Sequence, residues 1–339
     1  MNINRRMWGL VLHLGTNMWS DVRVEDRVTE GPRKWGGEDG WGLYSDTMRF
    51  DEAFWREITE RMALKGLNTI VLDLGEGLLY PSHPELSIDG TWSVAKMKDE
   101  LKRLRGMGFE VVPKLNFSAG HDTWLQEYER MLSTEKYYSV CRDVIRDAVD
   151  TFGGPEYFHM GYDEETARHQ STYDYSAVRQ GGLWWNDFGF FVDAIKSAGA
   201  RPWMWSDKIW HSREDFLKHV PKDVMQSNWY YGHVFDVEVL KEKKLEHCIP
   251  YVEAFRWLEE AGYDQMPTGM PHQKEDQDGW KGLVAHCRKV VSPRRLKGML
   301  DSVWCFTQPH RRDFINKAID QVAWAKSQID GSVLADESR

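Results

Sequence analysis

Short apolar runs recur along this chain, each followed by a stretch of helical spacing. The runs fall near 9–14, 68–74, 109–115, 156–161, 200–205, 223–228, 247–252 and 298–304. Between them, apolar side chains repeat every three or four residues: Phe54, Ile58 and Met62; Val94, Met97, Leu101 and Leu104; Val140, Val144 and Ala148; Phe191 and Ile195; Phe314, Ala318, Val322 and Ala325. That is the period of helices that cover a sheet. Eight strand–helix alternations are what a closed parallel barrel requires. The sequence therefore predicts an α/β chain folded as a single (β/α)8 TIM barrel over residues 1–339. An open doubly wound sheet is the competing architecture, but no glycine-rich phosphate loop follows the first run. The connection 15–49 is long and rich in Gly, Trp and charge, which marks it as a functional loop and a possible lid.

Composition narrows the function. Hydrophobic residues make up 41% of the 339 positions, enough to build a core, and the net charge of −9 disfavours nucleic acid or an anionic membrane as partner. Residues 8–14 form an apolar run too short and polar for a secretory leader, and no stretch approaches a membrane span. The expectation is a cytoplasmic enzyme. Cys141, Cys248, Cys287 and Cys305 are widely spaced, as ordinary buried thiols are. The seventeen Trp are the unusual count. Core packing accounts for some; stacking on sugar faces is the functional alternative.

Barrel active sites form where the strands end. Glu76 follows the second run, Asn116 and His121 the third, and Tyr162, Asp163, Glu164 and Glu165 the fourth. Trp205 and Asp207 follow the fifth, Asn228, Trp229 and Tyr230 the sixth, Tyr251, Glu253 and Arg256 the seventh, and Trp304 the eighth. Carboxylates ringed by aromatics suit glycosidic cleavage, which needs a proton donor and negative charge near an oxocarbenium-like centre, and no cofactor. Adjacent acids also repel one another, which raises the pKa of one and keeps it protonated for general-acid work. A solvated acidic helix start is the bland alternative. His159 and Asp163 are weighed as metal ligands and set aside, because no second His or Cys lies at ligand spacing. No metal is expected.

The order His159-Met160-Gly161-Tyr162-Asp163-Glu164 resembles the His-x-Gly-Gly-Asp-Glu signature of family 20 glycoside hydrolases, the β-N-acetylhexosaminidases. Asn68-Thr69-Ile70 resembles that family's second strand, and the segment from Val112 to His121 resembles its Pro-Glu-Ile-Asp-Met-Pro-Gly-His segment. Trp205, Trp229 and Trp304 fall where the family places three tryptophans around the acetamido group. The resemblance implies substrate-assisted, retaining cleavage. Glu164 would be the general acid, and Asp163 would orient the 2-acetamido group whose carbonyl oxygen attacks the anomeric carbon. His121 would tune Glu164, backed by Glu76; Tyr230 or Tyr251 would donate to the acetamido group. Asn116, Asp207 and Glu253 complete the expected carbohydrate-binding set.

The sequence also departs from that pattern. Trp8-Gly9 stands for the family's Arg-Gly, Trp304-Cys305-Phe306 for Trp-x-Glu, Lys114 and Asn116 for Glu and Asp, and Tyr162 for the second Gly. These changes predict kept cleavage chemistry with a rebuilt grip on the sugar. Two rivals stand beside this reading. One is a retaining glycosidase with Glu253 or Asp207 as direct nucleophile. The other is a carbohydrate-binding barrel without turnover.

Overall fold

The computed structural model describes residues 6–27, 39–171, 173, 176–177, 179–271 and 279–336. Eight parallel strands form one sheet: β1 (Met7–His13), β2 (Thr69–Asp73), β3 (Glu110–Lys114), β4 (Tyr157–His159), β5 (Arg201–Trp205), β6 (Met225–Ser227), β7 (Thr268–Gly269) and β8 (Gly298–Ser302). Their order is β6-β5-β4-β3-β2-β1-β8-β7. Parallel bridges Gln226–Gln265 and Trp229–Thr268 join the two ends, so the sheet curls into a (β/α)8 barrel.

The helices α1 (Glu52–Leu64), α2 (Val94–Gly106), α3 (Glu135–Thr151), α4 (Gly181–Ser197), α5 (Lys208–His211), α6 (Arg213–His219), α7 (Val237–Glu242), α8 (Ile249–Ala261), α9 (Trp280–Val290) and α10 (Arg312–Asp336) accompany the strands. Local chemistry starts the first three. Asp51, Ser93 and Thr134 each accept a hydrogen bond from a backbone N–H of the first turn of α1, α2 and α3 respectively. None of the described helices is long and apolar enough to cross a membrane.

Strand alternation sorts side chains into two cores. Met7, Val11, Val71, Val112, Tyr157, Trp203, Trp205, Met225, Met266 and Leu300 fill the barrel. Their neighbours Trp8, Leu10, Leu12, Ile70, Leu72, Phe158 and Met204 belong to the larger core shared with the helices. Trp8 is thus a packing residue of the outer layer and stands apart from the strand ends. At the upper end of the barrel the inward positions turn polar. His13, Asp73, Lys114 and His159 are all buried there.

The seventh strand lies elsewhere than the sequence suggested. The run 247–252 spans the end of a short 3-10 turn (Glu246–Cys248) and the start of α8. Val252, Phe255 and Leu258 are its buried face, at helical spacing, and Gly262 ends it in the left-handed conformation (φ 87°). The true β7 has two residues and presents no apolar run to read. Tyr251, Glu253 and Arg256 are therefore helix residues.

Candidate active site

The turn after β4 is built from unusual backbone. Gly161 (φ 65°), Tyr162 (φ 70°) and Glu164 (φ 48°) all adopt the left-handed region, which costs energy for the two non-glycines and persists only where the surroundings enforce it. Asn116 supplies part of that enforcement. Its Oδ1 accepts from the Tyr162 amide (3.1 Å) and the Ser118 hydroxyl (2.8 Å), and its Nδ2 donates to Asp163 Oδ1 (2.7 Å). A side chain at Gly161 would strike Asn116, since a Cβ there would lie 2.3 Å from its amide. The Tyr162 ring turns away into α4, where its hydroxyl donates to the Trp184 carbonyl oxygen at 3.3 Å.

The backbone N–H of Glu164 donates to Asp207 Oδ2 at 2.9 Å. Its carboxyl meets two imidazoles, His169 Nε2 at 3.1 Å and His121 Nε2 at 3.8 Å from the same oxygen. Burial, then the charges of Asp163 and Asp207, push the Glu164 pKa up to about 8. Asp207 is raised to about 7, by burial first and then by Asp163. His121 is buried, which lowers its pKa and favours the neutral ring; its Nδ1 lies 3.2 Å from the Ser118 hydroxyl. A protonated carboxyl beside neutral imidazoles is what this cluster holds near neutral pH.

Glu165, third in the acidic run, serves the fold. It is in a buried ion pair with Arg179, accepts from the Ala119 amide at 3.0 Å, and shares Arg179 with Asp187. Glu76 is likewise occupied. Its Oε1 accepts from the backbone amides of Thr16 (2.7 Å) and Asn17 (3.0 Å), anchoring the loop after β1.

Trp205, Trp229 and Trp304 converge on one cavity of about 490 Å³ that also exposes Asn116, His121, Asp163 and Glu164. Trp205 and Trp304 lie 6.1 Å apart between ring centroids. Tyr231, which sequence reasoning passed over, completes this wall. It stacks on Trp229 at 5.0 Å and accepts from Trp304 Nε1 at 3.2 Å. Its place two residues after Trp229, just past the end of β6, was the signal the sequence offered. Tyr230 points the other way, packing on Phe235 (5.1 Å). Trp19 and Trp41 of the β1 loop also line this cavity, their rings 4.8 Å apart and Trp19 5.8 Å from Trp304. Phe306 supports Trp41 at 5.1 Å.

A second cavity of about 580 Å³ shares Glu164, His169 and Trp229 with the first and is also lined by Asp207 and Tyr251. Glu253 is outside both; it is paired with Arg256 on α8. His121, Asp163 and Glu164 bring ligand atoms within 4.8 Å of one another, so these three are the donors a cation would find here. The long separation between His121 and the Asp-Glu pair hid this grouping from a spacing search. His159 is buried inside the barrel mouth, 4.5 Å from the Trp205 ring.

A scan of the sequence against protein-family models gives no match, and a search of curated proteins gives none either. Solved structures do resemble it. A family 20 exo-β-N-acetylglucosaminidase from Vibrio harveyi, crystallised with N-acetylglucosamine, superposes with a TM-score of 0.60 at 13% identity, over 96% of this chain and 55% of that one. The family 20 β-N-acetylhexosaminidase of Streptomyces coelicolor gives 0.61 at 12% identity, over 95% and 64%. Dispersin B gives 0.53 at 11% identity, over 94% and 98%. The chain thus spans about half of the Vibrio enzyme and just under two thirds of the Streptomyces one. At these identities the likeness is one of fold.

Proposed function

We propose that this protein is a glycoside hydrolase that cleaves a β-linked 2-acetamido sugar by substrate-assisted, retaining catalysis. One observation carries the reading. Asp163 and Glu164 open together into a tryptophan-walled cavity, and Glu164 has a pKa raised to about 8. The sugar sits against Trp205, Trp229 and Trp304. Glu164 gives its proton to the glycosidic oxygen, the acetamido carbonyl oxygen bonds to the anomeric carbon, and the aglycone leaves. Asp163 accepts from the acetamido N–H and balances the positive charge of the oxazolinium ring. Water then loses a proton to Glu164 and reopens the ring at the anomeric carbon, with retention overall.

Supporting groups follow from their contacts. Asn116 holds Asp163, Asp207 holds the Glu164 backbone, His121 and His169 flank the acid, and Tyr231 takes the acetamido-binding role that the resemblance assigned to Tyr230 or Tyr251. Trp19 and Trp41, in the described parts of the loop after β1, cover the bound sugar. The direct-nucleophile alternative has weaker support, because Asp207 is bonded to the Glu164 amide and Glu253 is turned away on α8. Matched aryl β-glycosides, one with a 2-acetamido group and one with a 2-hydroxyl, test the reading. It expects cleavage of the acetamido substrate only. Preference for the 2-hydroxyl sugar would refute it.

A further inference from the structure

Glu164 stands between two cavities. The first, of about 490 Å³, holds Asp163 and the tryptophans; the second, of about 580 Å³, shares Glu164, His169 and Trp229 with it and holds none of the other groups assigned to the acetamido sugar. A general acid delivers its proton to the oxygen linking sugar and leaving group, so those two must lie on either side of it. The second cavity is therefore the place of the leaving group.

Its lining has a distinct electrostatic character. The whole chain carries a net charge of −9, yet this cavity gathers Arg168 and Lys208, with His169 and His211 beside them. Among the described residues, neither Arg168 nor Lys208 is in an ion pair. Lys208 instead lies over the face of Trp184, its Nζ 4.6 Å from the ring centroid. The acids in the same lining are engaged except at one atom, the buried Oδ1 of Asp207, which has no hydrogen-bond partner among the described residues. Glu165 is committed to Arg179, Asp207 accepts from the Glu164 amide, and Glu164 is the proton donor. Aromatic surface is present as well, from Trp210 and Tyr251, whose ring centroids are 4.0 Å apart. Cations without an ion-pair partner among the described residues, in one cavity with aromatic rings, match a ring that carries both apolar C–H faces and a negative charge.

We propose that the second cavity is a leaving-group subsite selective for an anionic sugar, carboxylated or sulfated, held by Arg168 and Lys208. This inference rests on the glycosidase reading above. Both act on the binding of the departing unit; Arg168 also lowers the proton affinity of Glu164, and Lys208 that of Asp207.

The test uses three disaccharides with N-acetylglucosamine β-linked to the same glucose hydroxyl. They differ only at carbon 6 of the second ring: hydroxymethyl, carboxylate or sulfated hydroxymethyl. With charge-assisted hydrogen bonds at a half-open site, the anionic substrates should show kcat/KM about tenfold above the neutral one at low salt. The gain should shrink as ionic strength rises. Comparison of the carboxylated and sulfated arms identifies which anion is preferred. The double variant R168Q/K208Q should lose the preference, read as the ratio of anionic to neutral kcat/KM within each protein at each pH, so that a change in the proton affinity of Glu164 on removing the two charges cancels. Equal cleavage of all three by wild type, or a preference that survives in the double variant, would overturn the proposal. If none is cleaved, the glycosidase reading fails, and the subsite is then judged by binding of methyl glucuronoside observed by NMR. Binding lost in R168Q/K208Q supports the anion site; no binding to wild type overturns it.

Discussion

Asp207 at the end of β5 accepts a hydrogen bond from the backbone amide of Glu164 at the end of β4, at 2.9 Å. The contact pins Glu164 in its left-handed conformation (φ 48°) and at the same time places a second acid beside its carboxyl. One residue thus holds the backbone of the proposed acid and adds to the burial and the Asp163 charge that raise its proton affinity.

Substitution at Asp207 separates those two effects. Asp207→Asn keeps an oxygen to accept the amide and removes the like charge, so the Glu164 pKa should fall. The alkaline limb of kcat/KM, expected near pH 8 in wild type, should move to lower pH while the acidic plateau loses little. Asp207→Ala also removes the acceptor, and should lower kcat by roughly tenfold or more across the whole range, because misplacing a catalytic group is costly. An unchanged alkaline limb in Asp207→Asn would show that Asp207 does not govern the acid.

Glu164→Gln should slow cleavage by roughly 10²–10⁴-fold on substrates with poor leaving groups, and much less on activated aryl glycosides that need no proton. Stability should change in the opposite sense. A carboxyl raised from 4.5 to about 8 contributes stability that is fully present below its unfolded pKa and is lost as pH rises through its folded one. The wild-type Tm should therefore decline between pH 5 and pH 9 relative to the variant, which has no proton to lose. Thermal melts of both proteins at about pH 5 and about pH 9 measure the difference. A constant gap would contradict the raised pKa.

Below the pocket, Lys114 donates to Asp73, both are buried, and His13 Nδ1 lies 3.5 Å from the same carboxylate. Breaking such a pair by removing one partner costs about 3–5 kcal/mol, because a charge is left buried and uncompensated. Asp73→Asn and Lys114→Met should each be destabilised on that scale in chemical denaturation. The double replacement Asp73→Leu with Lys114→Met should recover much of the loss. A double variant as unstable as the sum of the singles would show that the two residues act independently.

The barrel was legible because its signals are periodic. Seven apolar runs coincide with strands, since inward and outward positions are both buried and leave continuous stretches. The seventh failed because β7 is two residues long, while 247–252 is apolar for the sake of a helix face. Legibility of the site followed the same logic. Asn116, His121, Asp163, Glu164, Trp205, Trp229 and Trp304 share one cavity because each sits at or just past a strand end. Glu253 left the site with the misplaced strand, whereas Tyr251, on α8 and not on a strand, still lines the cavity that holds Glu164 and Asp207. Glu76 was read for its charge, but its oxygens are consumed by backbone amides, a demand that only the path of the 15–17 turn reveals. His169, Trp19 and Trp41 lie in irregular loops without period, so nothing in their spacing pointed to the cavity.

The central claim is that the substrate's own acetamido oxygen is the nucleophile and that Asp163 serves it. Asp163 should matter chiefly in the transition state, where the developing positive charge must be balanced, so Asp163→Asn should lower kcat more than it raises KM. The most direct measurement is the affinity of a thiazoline that mimics the cyclised intermediate, taken by calorimetry on wild type and on Asp163→Asn. Tight binding to wild type and a loss of at least about tenfold in the variant, about 1.4 kcal/mol, is the predicted result. No binding of the thiazoline to wild type, together with a covalent 2-fluoroglycosyl adduct on a carboxylate, would contradict the account.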